Sequence, residues 1–214
     1  MNATITSTAH YVPEKVLTNS DLEKLVDTSD EWIKSRVGIN QRHVVSDGEA
    51  SSDMSTKVAH SLLEKRGISA ANIDVIIIGT VTPDHPTPST AAIVQNNINA
   101  ENAWAFDLSA ACSGFLYALE TGAKFIESGQ YKTIMVIGVD TMTSILDFED
   151  RETCIIFGDG AGGVILEASK SNTGILGSVL KTDGSGAESL NVLAGGSKYP
   201  ASPTTIKNRQ HYIK

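Results

Sequence analysis

An α/β fold, with a largely parallel sheet covered by helices on both faces, is predicted by three features of the sequence. Two apolar runs, "DVIIIGT" (74–80) and "KTIMVIGVD" (132–140), show no polar alternation, as strands buried on both faces do. Segments with helical periodicity and polar caps stand between the extended runs. Strands and helices in alternation build parallel sheets through crossover connections.

Taken in order, "TNSDLEKLV" (18–26) reads as a short helix with polar caps, and "TSDEWIKSRV" (28–37) as a clearer one. Thr28 and Glu31 have capping-box spacing, and Gly38 follows as a stop. "SSDMSTKVAHSLLEKRG" (51–67) puts Met54, Val58 and Leu62 on one face and ends at Gly67. "PSTAAIVQNNI" (88–98) is predicted helical with Pro88 near its first turn, "AWAFDL" (103–108) extended, and Cys112–Ser128 helical. "GGVILEAS" (162–169) and "GILGSVLKTDG" (174–184) are expected as later strands. The Gly- and Ser-rich run after residue 183 reads as a long loop.

Composition narrows the function classes. Twenty-five acidic residues against seventeen Lys and Arg give a net charge of -8, which argues against a nucleic-acid partner. No apolar run approaches the ~20 residues that span a bilayer. "MNATITSTAHYVPEK" has neither the basic start nor the apolar core of a signal peptide, so a cytoplasmic location is expected. The two cysteines, Cys112 and Cys154, make neither a disulfide framework nor a metal-ligand spacing, and Cys154 is expected to be a structural thiol.

Cys112 is different. Ala110, Ala111, Ser113 and Gly114 surround it at a strand-to-helix junction, where the backbone turns sharply and space remains around the sulfur. A helix N-terminus favours the thiolate, so its pKa is expected below the free value of about 8.5, and the amides there can stabilise an oxyanion. These residues alone fit a nucleophile and a small packed cysteine equally well.

Three longer segments carry a resemblance. "TNSDLEKLVDTSDEWIKSRVGINQRH" (18–43), "DLSAACSGFLYAL" (107–119) and "DRETCIIFGDGAGGVIL" (150–166) resemble, in order and spacing, the signatures of the β-ketoacyl-acyl-carrier-protein synthase III family of thiolase-like condensing enzymes. The resemblance implies a mixed, mostly parallel five-stranded sheet with helices on both faces. It implies that residues 1–170 are the first half of a thiolase-like fold, with 171–214 the first strand and long loop of an incomplete second half. It makes Cys112 the nucleophile that takes an acyl group from acyl-CoA. Trp32 and Arg151 would sandwich the adenine, Arg36 would meet the nucleotide phosphates, Phe157 would line the pantetheine channel, and Thr28 would cap its helix and rim the tunnel. The tip of "TPDHPTPST", which carries Thr87, would reach into the partner's acyl pocket in the family dimer. Taken without the resemblance, Trp32 reads as a packing residue and Arg36 and Arg151 as solvated charges. Glu152 stands where the family often has a small residue. "GDGAGG" (158–163) fits a dinucleotide fingerprint, but a strand-like run follows it, so a tight glycine-rich turn is expected instead.

By the same resemblance, no cofactor is bound permanently, acyl-CoA and malonyl-acyl carrier protein are the partners, and the complete enzyme is a homodimer. The family's His and Asn, in motifs like H-Q-A-N and G-N-T-S, have no counterpart here. The histidines stand at 10, 43, 60, 85 and 211, none in that context. The chain is therefore expected to be an N-terminal portion that lacks condensing activity, and to be unstable or oligomeric without a covering layer. A non-catalytic fragment and another acyl-CoA condensing enzyme are the alternatives. A thioester hydrolase would need a nearby His.

Overall fold

The computed structural model describes residues 2–169, 171 and 173–214. Along the chain the regular elements are β1 (Asn2–Tyr11), β2 (Lys15–Thr18), α1 (Asn19–Leu22), α2 (Asp30–Val37), β3 (Gln41–Val44), α3 (Ser51–Arg66), β4 (Val75–Gly79), α4 (Thr90–Asn97), β5 (Trp104–Leu108), α5 (Gly114–Glu127), β6 (Thr133–Thr141), β7 (Asp159–Ser169) and α6 (Pro203–Lys207). They fall into two compact units, one of Met1–Pro13, Val45–Asp140 and Gly160–Leu180, the other of Glu14–Val44, Thr141–Asp159 and Lys181–Lys214.

The first unit is built on a five-stranded sheet in the order β1-β7-β6-β4-β5. β4 runs parallel to both β5 and β6, and β1 runs antiparallel to β7, so the sheet is mixed. The period-two rule divides the core between its faces. Ile76, Ile78, Met135 and Ile137 pack with Met54, Val58 and Leu62 of α3 and with Ala91 and Val94 of α4. Val75, Ile77, Ile134 and Val136 pack with Ala118, Ala123 and Ile126 of α5 on the other face. The unbroken apolar runs of β4 and β6 are thus explained: both faces of each strand are covered. α3 carries its apolar stripe as expected and stops at Gly67, whose φ of 70° suits glycine.

The second unit holds the antiparallel pair β2–β3, the helices α1, α2 and α6, and a small core of Leu22, Ile33, Cys154 and Ile155.

Several expectations are corrected. The "GILGSVLKTDG" run forms no strand; apart from the Ile175 N–H donating to the Ala3 carbonyl, its β-branched residues find no ladder, and the described residues of 171–214 carry a 3-10 turn, α6 and an isolated antiparallel bridge between Val192 and Ile213. "GDGAGG" is no tight turn: Asp159–Gly163 already belong to β7. There a Cβ on Gly163 would lie 2.8 Å from the Val136 carbonyl oxygen, so glycine serves close strand packing. Regular helix begins at Gly114 rather than at Cys112. Pro88 precedes the Ser89 cap of α4 and lies outside its first turn. Thr28 does not cap α2. Ser29 does, accepting the Trp32 N–H at 3.1 Å, while Glu23 takes the Asp30 N–H at 2.7 Å. β1, β2 and β3 had no distinct signal in the sequence.

Candidate active site

Cys112 belongs to the first unit, in a single 3-10 turn (Ala111–Ser113) between β5 and α5. Ala111 has a φ of 46°, a left-handed conformation costing an L-residue about 1–2 kcal/mol. The turn is seated by two glycines. A Cβ on Gly79, the last residue of β4, would lie 2.8 Å from the Gly114 carbonyl carbon and 3.0 Å from the Phe115 nitrogen. Only hydrogen at this position lets the first turn of α5 rest directly on the strand end. Cys112 is exposed at that edge. The Ser113 side chain does not cap α5, and the Gly114 N–H donates to the Ala111 carbonyl of the preceding turn. Cys154 is fully buried in the second unit, and burial, reinforced by Asp150, pushes its thiol pKa up. It is the structural thiol that was expected.

The loop carrying Thr87 is held by three carboxylates. Asp140, at the end of β6, accepts the N–H groups of Val81 (2.8 Å) and Thr82 (3.2 Å) and the hydroxyls of Thr80 and Thr82. Asp84 accepts the Ser52 N–H and hydroxyl at 2.8 and 2.6 Å. Asp107 takes the N–H groups of Thr90 and Ala91, completing the first turn of α4. A cavity of about 530 Å³ opens between the loop and the end of β5, lined by Val81, His85, Pro86, Phe106 and Ser109 among others. Thr87 is exposed and is not one of its lining residues. Asp140 and Asp107 escaped the reading of the sequence; a carboxylate at a strand end, beside a loop or helix start, is the signal that could have found them.

In the second unit the structure brings Trp32 and Arg151 together. The Arg151 guanidinium lies 4.7 Å from the centroid of the Trp32 ring, within cation–π range. Its ion pair with Asp27, at 3.8 Å between exposed side chains, adds little. Trp32 is half-buried, its ring packed against Leu22, Ile33, Cys154 and Ile155. Arg36 is exposed on the last turn of α2. Phe157 is partly buried just beyond the Arg151 turn. The Thr28 hydroxyl is buried without a hydrogen-bond partner, a costly state for a polar group. Among the described residues no group of three or more His, Cys, Asp and Glu is placed to hold a metal.

Residues 106–184, from β5 through the Cys112 turn and past β7, match the family model of 3-oxoacyl-[acyl-carrier-protein (ACP)] synthase III. The β-ketoacyl-[acyl-carrier-protein] synthase III of Chlorobaculum tepidum is 57% identical over all of this chain, which spans 66% of that protein's length. The solved synthase III of Thermus thermophilus superposes with a TM-score of 0.86 at 37% identity, covering 94% of this chain and 61% of that one. The synthase III of Aquifex aeolicus gives 0.77 at 46% identity, covering 79% and 55%. The mixed five-stranded sheet with helices on both faces is thus the thiolase-like fold that the sequence predicted. With its Cys112 turn inside the matched segment, the chain, spanning about two thirds of its curated relatives, belongs to the β-ketoacyl-[acyl-carrier-protein] synthase III family.

Proposed function

We propose that this chain performs the acyl-loading step of the initiating condensation in fatty-acid synthesis. The Cys112 sulfur attacks the thioester carbonyl of an acyl-CoA, the new S–C bond forms, and coenzyme A leaves as a thiolate that takes up a proton. The observation that carries this reading is the exposed Cys112 on the Gly79–Gly114 seat, at the uncapped head of α5.

The nucleotide end of the donor is assigned to Trp32 and Arg151, a reading supported by the Arg151 guanidinium lying over the Trp32 ring, since both groups are flat and suit a π-system. Arg36 is assigned to the phosphates and Phe157 to the pantetheine channel. Thr28 takes the rim, where its unpartnered hydroxyl supports a ligand contact. Thr87, exposed on its loop, is assigned to the partner's acyl pocket in the homodimer, where a side chain this small admits acyl groups longer than acetyl. No cofactor is permanently bound, and the site of action is the cytoplasm.

In the whole synthase the second substrate is malonyl-acyl carrier protein. Its C–C bond to the carboxylate breaks, CO2 leaves, the enolate carbon attacks the acyl carbonyl, and the Cys112 thiolate is expelled. That step needs donors at the enolate oxygen. The family motifs that supply them do not occur in this sequence, so the chain by itself is assigned loading without condensation. A homodimer is supported by β5, an edge strand whose half-exposed Trp104 heads a cluster with Phe106, Phe125 and Tyr131.

The test is to incubate the chain with acetyl-CoA and follow intact mass. One acetyl adduct, mapped to Cys112 and absent in Cys112→Ala, is the expected result. An adduct on another residue, or none under conditions where Cys112 alkylates freely, refutes loading. Acetoacetyl product at the rate of a complete synthase, on adding malonyl-acyl carrier protein, refutes the division of labour.

A further inference from the structure

Arg42, on β3 in the second unit, is only 4% exposed. Its guanidinium donates through Nη1 to the Asn19 side-chain oxygen at 2.9 Å and to the Leu17 carbonyl at 3.4 Å. Nη2 donates to the Ile155 carbonyl at 2.9 Å, 113 residues away in sequence. Nε is buried without a partner. All three acceptors are neutral. A cation withdrawn from water with no carboxylate against it is a poor means of stabilising a core, which a Met or Leu would fill better. Its fork of donors, however, holds separate chain segments at set distances, which one ammonium cannot do.

The segments it joins are those that carry Trp32 and Arg151. Asn19 relays the contact: its amide group donates to Asp30 at 2.8 Å and to the Ile39 carbonyl at 2.9 Å. Asp30 is the first residue of α2, and Trp32 stands two residues on. On the other side, Ile155 closes a tight turn in which the Cys154 N–H donates to the Asp150 carbonyl, and Arg151 rides on that turn. The backbone beside Arg42 is held just as closely, since a Cβ on Gly158 would lie 2.9 Å from the Arg42 Cβ.

We propose that Arg42 is a positioning residue for the nucleotide end of the acyl donor, setting the spacing of Trp32 and Arg151 through Asn19 and the Ile155 carbonyl. The proposal rests on the assignment of that pair to the adenine. The test uses the whole chain labelled with 5-fluorotryptophan, whose two fluorine signals report Trp32 and, in the other unit, Trp104. Arg151→Ala identifies the Trp32 signal by its shift. Arg42→Met is expected to move that signal in the same way and leave the Trp104 signal in place. Arg42→Lys, which keeps the charge, is not expected to restore it. Titration with adenosine 3′,5′-bisphosphate should show binding weakened roughly tenfold in Arg42→Met, the size expected for one lost stacking partner, with the alkylation rate of Cys112 unchanged. A Trp32 signal unmoved by Arg42→Met overturns the proposal. Should that variant lose the folded Trp104 signal, Asn19→Ala cuts the relay alone, and an unmoved Trp32 signal there overturns it equally. Failure of the unsubstituted chain to bind the bisphosphate refutes the adenine assignment instead, while the Trp32 shift still decides whether Arg42 sets the pair.

Discussion

The guanidinium of Arg151 lies over the indole of Trp32 at 4.7 Å, so the two groups assigned to an adenine ring are in contact with each other. A flat base can enter only by taking the place of one partner, and Arg151, half-exposed on a turn, is the one free to swing. Stacking lost to the base is regained on it, so opening costs little net contact.

Arg151→Ala is therefore expected to weaken coenzyme A binding by about 1.4 kcal/mol, close to tenfold, with almost no loss of stability. Calorimetric titration and a urea melt measure the two. A large fall in stability with unchanged affinity would assign the pair to folding alone.

The two thiols should separate cleanly on alkylation. Cys112 is exposed, whereas Cys154 is fully buried with its pKa raised by burial, which leaves less thiolate near neutral pH. Brief substoichiometric iodoacetamide followed by peptide mass mapping should label Cys112 almost alone. Equal labelling of both in the folded chain would contradict the placement of Cys154.

Gly79→Ala tests the seat of the Cys112 turn. The added methyl would meet the Gly114 backbone at 2.8 Å, which cannot yield as a side chain can, so a loss of roughly 1–3 kcal/mol and much slower acylation of Cys112 are expected. Gly122→Ala, further along α5, meets as its nearest atoms the side chains of Leu166, Val136 and Ile134 at 3.1–3.4 Å. It should be the milder change and leave acylation near normal. Equal acylation rates in the two variants would show that the seat does not position Cys112.

Asp147 provides a pH test. The Arg209 guanidinium, bonded through Nε at 2.7 Å and also through Nη2, lowers the Asp147 pKa, assisted by the Glu149 N–H. A carboxylate depressed on folding contributes stability above its unfolded pKa of about 3.9, and loses it as pH falls through the lower native value. Arg209 is partly exposed, which limits the size of the effect. The difference in urea midpoint between the native chain and Asp147→Asn should be constant at neutral pH and shrink below roughly pH 4. A difference that grows on acidification would reverse the assigned sign.

Thr87→Phe should slow acylation by four- and five-carbon acyl-CoAs more than acylation by acetyl-CoA. Competition between donors, read as adduct masses on Cys112, measures the ratio. An equal effect on every donor would remove Thr87 from the acyl pocket.

What the sequence determined by itself is what short-range forces decide. The stripe of Met54, Val58 and Leu62 with Gly67 behind it, the unbroken runs of β4 and β6, and the small residues around Cys112 express periodicity, capping and steric freedom over a few positions, and they survive in the fold. Tertiary structure decided what depends on partners far along the chain. Ile175, Val179 and Leu180 have strand-forming composition, yet the run meets the edge strand β1 through the single Ile175–Ala3 bond and builds no ladder on it, whereas β1, polar along its length, pairs with β7. Thr28 and Ser29 are equivalent as caps on paper, and only the chain's approach to α2 aims the Ser29 oxygen at the Trp32 N–H. The same holds for Arg42: a guanidinium's charge is legible at once, but burying it without a carboxylate is possible only where three acceptors from distant segments converge, and no local pattern records that convergence.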